Sequence, residues 1–368
     1  MAREKLEEIS FIRSIACLCV VMVHSITRVI DLYGHQLSSS REFMFWAVRL
    51  FFTFGTPIFI FLSEFLLAYS YSDGVPEGFL NKRFRFIFIP YISMSFIYGV
   101  VMLLEGRQLD APVSTTYITL VIRNLLFGFY RHGYFVLVIF QFYFIHILFN
   151  RKLNEWRPRN VLLVSLLVNS LYLGFFSFVG PDEFPLGREV WQGLSWGSFP
   201  SWIFYFALGF YSGKHYSVFK DKLKQYKKHV FALPIITLAI VMYFYATETI
   251  IINSSKRFDM IYFSTSMLFL LFYLSAYIVK IPRWAPWLSN YAFGIYLLHM
   301  FYLATMTGII FRLDYIMISP VVMLGILFVG TTTASIFTTY LLGRLPIGVY
   351  IVGNLKIKNK SSRRVLER

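Results

Sequence analysis

The sequence predicts an all-α, polytopic integral membrane protein of about ten transmembrane helices, with both termini in the cytoplasm. Composition is the first reason. Of 368 residues, 57% are hydrophobic and only 15% charged, and mean hydropathy is +0.61, which sets the chain apart from two soluble domains of the same length. Periodic runs of about 20 apolar residues, the length a helix needs to cross hydrocarbon, are the second. The third is that the basic residues gather on alternate connections between those runs.

The elements follow in order. The run Ile9 to Ile30 comes after the partly acidic "MAREKLEEIS" and lacks a small-residue cleavage site behind a short apolar core, so it is expected to stay as helix one. Trp46 to Tyr71 and Phe86 to Leu104 are the second and third spans. Between Glu105 and His132 lies "TTYITLVIRNLLFGFY", too polar for a span and expected at, or dipping into, the outer interface. Gly133 to Phe149 and Val161 to Phe178 are the fourth and fifth. After the long loop Gly180 to Pro200, the sixth, Ser201 to Ser212, is short unless it begins near Trp191. Val230 to Ala246, Ile261 to Val279, Tyr291 to Phe311 and Ser319 to Leu342 complete the set. Residues 1–345 read as one transmembrane domain and 346–368 as a basic cytoplasmic tail, with no internal repeat or separate soluble domain.

A net charge of +16 would suggest nucleic acid in a soluble protein. Here the cations lie on one side. Lys82, Arg83 and Arg85, then Arg151 to Arg159, Lys214 to Lys228, Lys280 and Arg283, and the tail from Arg344 onward occupy the even connections, whereas Asp182, Glu183 and Glu189 lie on an odd one. The positive-inside rule accounts for the charge without a nucleic-acid partner. Cys17 and Cys19 point about 200° apart on one helix and cannot bond to each other. No Cys/His ligand spacing implies a metal, and no phosphate-binding glycine loop implies ATP-driven work.

Chemistry is expected where ionisable groups interrupt the apolar runs. Arg13 and His24 are separated by eleven positions, which brings them within about 20° of one helix face and about 16 Å apart along it. Each is disfavoured in hydrocarbon by roughly 2.5–3.5 kcal/mol, so such groups face a bundle interior or a water-filled cavity and mark functional sites. Glu64 falls near the depth of Arg13, and Arg49 nearer that of His24, which suggests a polar seam between the first two helices. The bland alternative is that Arg13 simply pairs with Glu64 and that His24 is an interhelical donor. Lys82, Arg83 and Arg85 are generic positive-inside charge or a phosphate site at the mouth of that seam. His299 and His132 are either a second polar wall or structural; His35, His146, His215 and His229 receive no role.

These residues resemble the membrane-bound acyltransferase family 3, whose first helix carries an Arg or Lys, ten residues, then His. Arg13 and His24 match that spacing. "FIFLSEFLL" is similar to the family's helix-two motif, with Glu64 in place of Gly; "KRFRFIFIPY" resembles its basic turn; "HGYFVLV" and "FGIYLLH" resemble two later motifs. Through "FGTPIFI", "RFIFIPYI", "GYFVLVIFQFYF" and "SWIFYFALG" the likeness is strongest to the subgroup tied to poly-N-acetylglucosamine adhesin, read both as exporters and as O-succinyltransferases.

The resemblance implies a multi-pass protein of the bacterial cytoplasmic membrane that moves an acyl group from cytoplasmic acyl-CoA to a hydroxyl of a surface or secreted glycan. No permanently bound cofactor is implied; acyl-CoA is a substrate. His24 is expected as general base, Arg13 as the group that binds a donor phosphate or orients the thioester, and Arg49 as stabiliser of the oxyanion. Glu64 is expected to hold Arg13. The alternatives are a polysaccharide exporter or flippase, which lacks support from inverted repeats, and a membrane scaffold for a glycan synthase.

Overall fold

The computed structural model describes residues 6–71, 74–106, 112–130, 132–250, 252–312 and 318–355. Among these the chain forms sixteen α-helices and no strand: α1 (Glu7–Tyr33), α2 (Ser39–Phe52), α3 (Gly55–Ser70), α4 (Phe79–Arg83), α5 (Ile89–Leu104), α6 (Val113–Phe127), α7 (Tyr134–Glu155), α8 (Pro158–Phe178), α9 (Arg188–Gly197), α10 (Ile203–Lys214), α11 (Tyr216–Gln225), α12 (Lys227–Ala246), α13 (Phe258–Tyr273), α14 (Trp284–Arg312), α15 (Pro320–Leu342) and α16 (Val349–Val352). Nine helical segments among the described residues are long and apolar enough to cross a membrane. The short sixth run becomes α10, of whose 12 residues the ten from Phe204 to Gly213 are buried. A helix wrapped by protein need not match the full lipid thickness, which is why this one can be short. The expected basic tail is described only as far as residue 355, and its cations from Lys356 onward lie outside the described residues.

α1 is the axis of the bundle. In its most apolar window 61% is buried, against 17% in α12 and 22% in α15, which turn most of their surface to lipid. α14 lies beside α1 and parallel to it: Ser14 Oγ donates to Ala285 O at 2.7 Å near both helix starts, and further along His24 stands beside His299. On the other side Gly55, at the start of α3, meets Ala16, Cys19 and Val20 of α1. The larger apolar core joins α1 and α3 to α7, α8, α10 and α13, and a second one joins the far half of α1 to α5, α6, α14 and α15.

Two ends of the bundle are thereby defined. At the Arg13 end, the π-helical turn Phe84–Phe88 joins α4 to α5, and Arg85 donates to Tyr350 Oη (3.0 Å) of α16. The start of α1 and the last described turn of the chain therefore share one end. At the His24 end, the segment expected at the interface dips inward: α6 runs back along α5, and Tyr91 Oη reaches the carbonyls of Asn124 and Leu125 at 2.7 and 2.9 Å. The chain turns at residues 128–130 and again at 132–133 before α7 starts. Irregular backbone at such depth is tolerated only against protein or a water-filled space, and this turn lines a cavity.

Candidate active site

Three imidazoles meet at the His24 end. Ring centroids of His24 on α1 and His299 on α14 are 5.2 Å apart, those of His132 and His299 4.8 Å, and those of His24 and His132 6.2 Å. His132 Nδ1–H donates to Tyr130 O (2.9 Å), and His299 Nδ1–H donates to Tyr296 O (2.8 Å). Each neutral ring thus keeps its lone pair on Nε2, and neither buried Nε2 has a hydrogen-bond partner. Burial, followed by the neighbouring His299, pushes the His132 imidazole well below its ordinary pKa and keeps it neutral. The turn carrying His132 is braced: Tyr130, at φ +39°, donates its hydroxyl to Glu105 (2.5 and 2.6 Å), and Arg28 bonds both Glu105 (2.9 Å) and the Tyr130 oxygen. Tyr98 Oη bridges Leu297 O (2.8 Å) and Phe301 N (3.0 Å), the helical pair that flanks His299.

His24 and His132 line a cavity of ≈ 70 Å³ with Arg49, Thr56, Tyr134, Tyr296 and Ser254 to Lys256. Beyond it a vestibule of ≈ 610 Å³ shares His24, Arg49, Tyr134 and Lys256 and adds Arg123, Asn124, Tyr130, Arg188, Gln192 and Trp196. Arg123 and Arg188 are balanced by Glu189 (3.2 Å) and Asp182 (2.6 Å). Arg49 donates to Thr27 Oγ1 (2.7 Å) and to Asn253 O, and lies 5.0 Å over the Trp46 ring. Lys256 is buried, with its ammonium 4.1 Å from the Trp196 centroid and 4.6 Å from that of Tyr134. Burial, reinforced by the charge of Arg49, brings this lysine down to about 7.

At the other end Arg13 has no carboxylate partner among the described residues; its charged neighbour is Arg83, with Tyr143 beside both. Arg83 stacks over Phe79 (4.9 Å) and Tyr143 (5.4 Å). Two neighbouring guanidinium groups, one of them held over aromatic faces, suit an anion that bridges them.

A family comparison completes the description. The family model described as an acyltransferase domain matches residues 6–340. The chain belongs to the membrane-bound acyltransferase family 3. It is 37% identical over 353 residues, 95% of either chain, to a Bacillus subtilis (strain 168) protein named as the membrane-bound acyltransferase YfiQ. It is 29% identical over 244 residues, 64% of this chain and 63% of the other, to a protein of Staphylococcus aureus (strain MSSA476) named as a poly-beta-1,6-N-acetyl-D-glucosamine export protein. A Staphylococcus epidermidis protein with that name is 27% identical over 304 residues, 81% of each chain. No solved structure matches.

The protein is therefore a multi-pass membrane acyltransferase, and its site residues divide between the two ends of α1. His24, His132, His299 and Arg49 gather at one, Arg13 and Arg83 at the other. The basic turn is split: Arg85 points away to α16, and Lys82 is exposed. The expected Arg13–Glu64 contact is absent, a correction with a simple geometric reason. Gly55 packs on α1, and Glu64, nine residues later, lies about 180° around the helix. Glu64 accordingly faces α7 and α10, where its carboxylate accepts from His146 Nδ1 at 2.6 Å, both side chains nearly inaccessible. His146, which carries no role in the sequence reading, is thus the buried hydrogen-bond partner of Glu64. Lys256 was also missed; its only sequence signal is a cation on the cation-poor side. Among the described residues no cluster of His, Cys, Asp and Glu suits a metal.

Proposed function

We propose that this acyltransferase moves an acyl group from a CoA thioester, bound at the Arg13 end, to a hydroxyl of a glycan held in the vestibule at the His24 end. The observation that carries the proposal is that one buried helix, α1, presents an uncompensated guanidinium at one level and an imidazole cluster facing a polar, aromatic-lined cavity about 16 Å away along its axis. Trp196, Tyr130 and Tyr134 supply flat faces for sugar rings, and Asn124, Gln192 and Asn253 supply amide and carbonyl partners for hydroxyls. The printed names of the staphylococcal relatives point the same way, to a poly-N-acetylglucosamine. The segregation of basic connections supports a cytoplasmic Arg13 end, the side on which acyl-CoA is made.

Arg13 and Arg83 hold phosphates of the donor, and its long arm carries the thioester along α1. His24 takes the proton of the acceptor hydroxyl as its oxygen attacks the carbonyl carbon. The tetrahedral intermediate then expels the thiolate, which receives that proton from His24. His132 and His299 set their rings beside His24 at the cavity, where their unpartnered Nε2 atoms can accept from it as it gains the proton. Arg49 lines the same cavity while tying α2 to the Asn253 loop.

The test compares surface glycan from cells carrying the wild-type protein with that from cells carrying His24→Ala, by mass spectrometry of base-labile esters and by total polymer. Loss of ester with polymer still exported is the expected result. A wild-type glycan without ester, together with polymer retained inside the mutant, would replace acyl transfer by export.

A further inference from the structure

We infer that the Lys256 ammonium faces the oxyanion of the tetrahedral intermediate in the His24 cavity, which makes Lys256 a catalytic residue of the transfer. This rests on the proposed acyl transfer and assigns that reaction a group which sequence motifs do not reveal.

The geometry comes first. Lys256 lies on the connection between α12 and α13 yet is 8% exposed, and it lines both the small cavity with His24 and the larger vestibule. A lysine that merely decorated a loop would extend to water rather than accept the cost of burial. No carboxylate pairs with it among the described residues; the faces of Trp196 on α9 and Tyr134 on α7 hold the ammonium without neutralising it. Its backbone is fixed from both sides. Arg49 binds Asn253 O, and the buried Arg257 forms a two-pronged pair with Asp259 at 3.0 and 2.6 Å. Arg49 and Arg257 are therefore positioning residues, and Lys256 is the cation with donors left for a ligand.

The chemistry needs such a group. When the acceptor oxygen bonds to the thioester carbon, the hydroxyl proton passes to His24 and the carbonyl π electrons move onto oxygen. That oxygen becomes an alkoxide until the C–S bond breaks. An N–H of Lys256 donates to it without transferring its proton, the kind of preorganised donation worth about 10²–10³ in rate. The charged and titratable groups lining the small cavity with Lys256 are His24 on α1, Arg49 on α2, His132 before α7, Tyr134 on α7 and Tyr296 on α14, none of them a carboxylate. The vestibule adds Tyr130 and the arginines Arg123 and Arg188, whose carboxylate partners are Glu189 and Asp182. In this setting the amine loses its proton near neutrality, at about 7. The reaction therefore needs His24 unprotonated and Lys256 protonated, which gives a rate that falls on the alkaline side.

The experiment uses the full-length protein in lipid nanodiscs, with de-esterified surface glycan as acceptor and, as donor, acetyl-, butyryl- or succinyl-CoA, whichever supports turnover. Lys256→Met is expected to lower kcat by about 100-fold or more with KM for the acceptor little changed. Lys256→Arg is expected to restore much of kcat and to lose the alkaline fall, since guanidinium does not titrate in this range. A Lys256→Met protein with wild-type kcat, or one changed only in acceptor KM, overturns the inference. A second readout is independent of turnover: acetic anhydride labelling of Lys256 in the His24→Ala protein, followed by mass spectrometry across pH. Half-maximal labelling near pH 7 is expected, and a Lys256 that resists labelling at every pH, as an amine sealed away from the cavity would, overturns the inference. Absence of transfer in the wild type, with labelling still centred near neutrality, would count against the acyl-transfer reading rather than against the unusual lysine.

Discussion

Arg13 and Arg83 are neighbouring like charges, an arrangement that a visiting anion relieves. On the proposed reading that visitor is a phosphate of CoA. Arg13→Ala and Arg83→Ala should each raise the donor KM by roughly 10- to 100-fold, the loss of a charge-assisted hydrogen bond or two, while kcat at saturating donor changes little. Arg85→Ala should behave as wild type, because Arg85 is turned to Tyr350; an Arg85 effect as large as that of Arg13 would move the donor site to the α16 side. Arg13→Ala should also leave thermal stability near normal, since Glu64 is satisfied by His146. At this scale the sequence was informative wherever a polar group interrupted an apolar run, as with Arg13, His24, His132 and His299. It was silent where partnership depends on rotation about a helix. Glu64 matches Arg13 in depth but not in face, and Lys256 lies in a loop whose burial arises only when α7 and α9 close over it.

The elements were legible because each span has to be long and apolar, and α10 showed itself as short for the same reason. What the runs did not reveal is how closely two of them approach. A Cβ at Gly213 of α10 would clash with Phe65 O of α3, which is backbone rather than a yielding side chain. Gly213→Leu should therefore separate α3 from α10 and strain the Glu64–His146 contact. It is expected to cost more than the roughly 1–3 kcal/mol typical of overpacking, seen as a lower melting temperature of the purified protein and a reduced yield in the membrane. An unchanged melting temperature would show that the two helices can move apart freely. The descent of α6 along α5 was anticipated only as an interfacial helix. Its depth is set by Asn124, whose amide donates to Ser95 O at 3.0 Å, and by Tyr91, contacts that no single run encodes.

For the whole molecule, the charge asymmetry and the two-ended site make one argument. The basic residues behind the net +16 gather on connections at the Arg13 end, and on the proposed reading this end, with its donor site, faces the cytoplasm and the vestibule faces outward. On that reading the bundle carries the acyl group between compartments and the glycan stays on the outer side. This claim is tested most directly by reconstituting the protein in vesicles sorted by orientation. A CoA thioester is added to one face and soluble glycan acceptor to the other, and release of free CoA thiol is followed. The account predicts thiol release only when the thioester meets the Arg13 face and the glycan the His24 face, and none with His24→Ala. Equal release with the two substrates exchanged, or release that survives loss of His24, would contradict it.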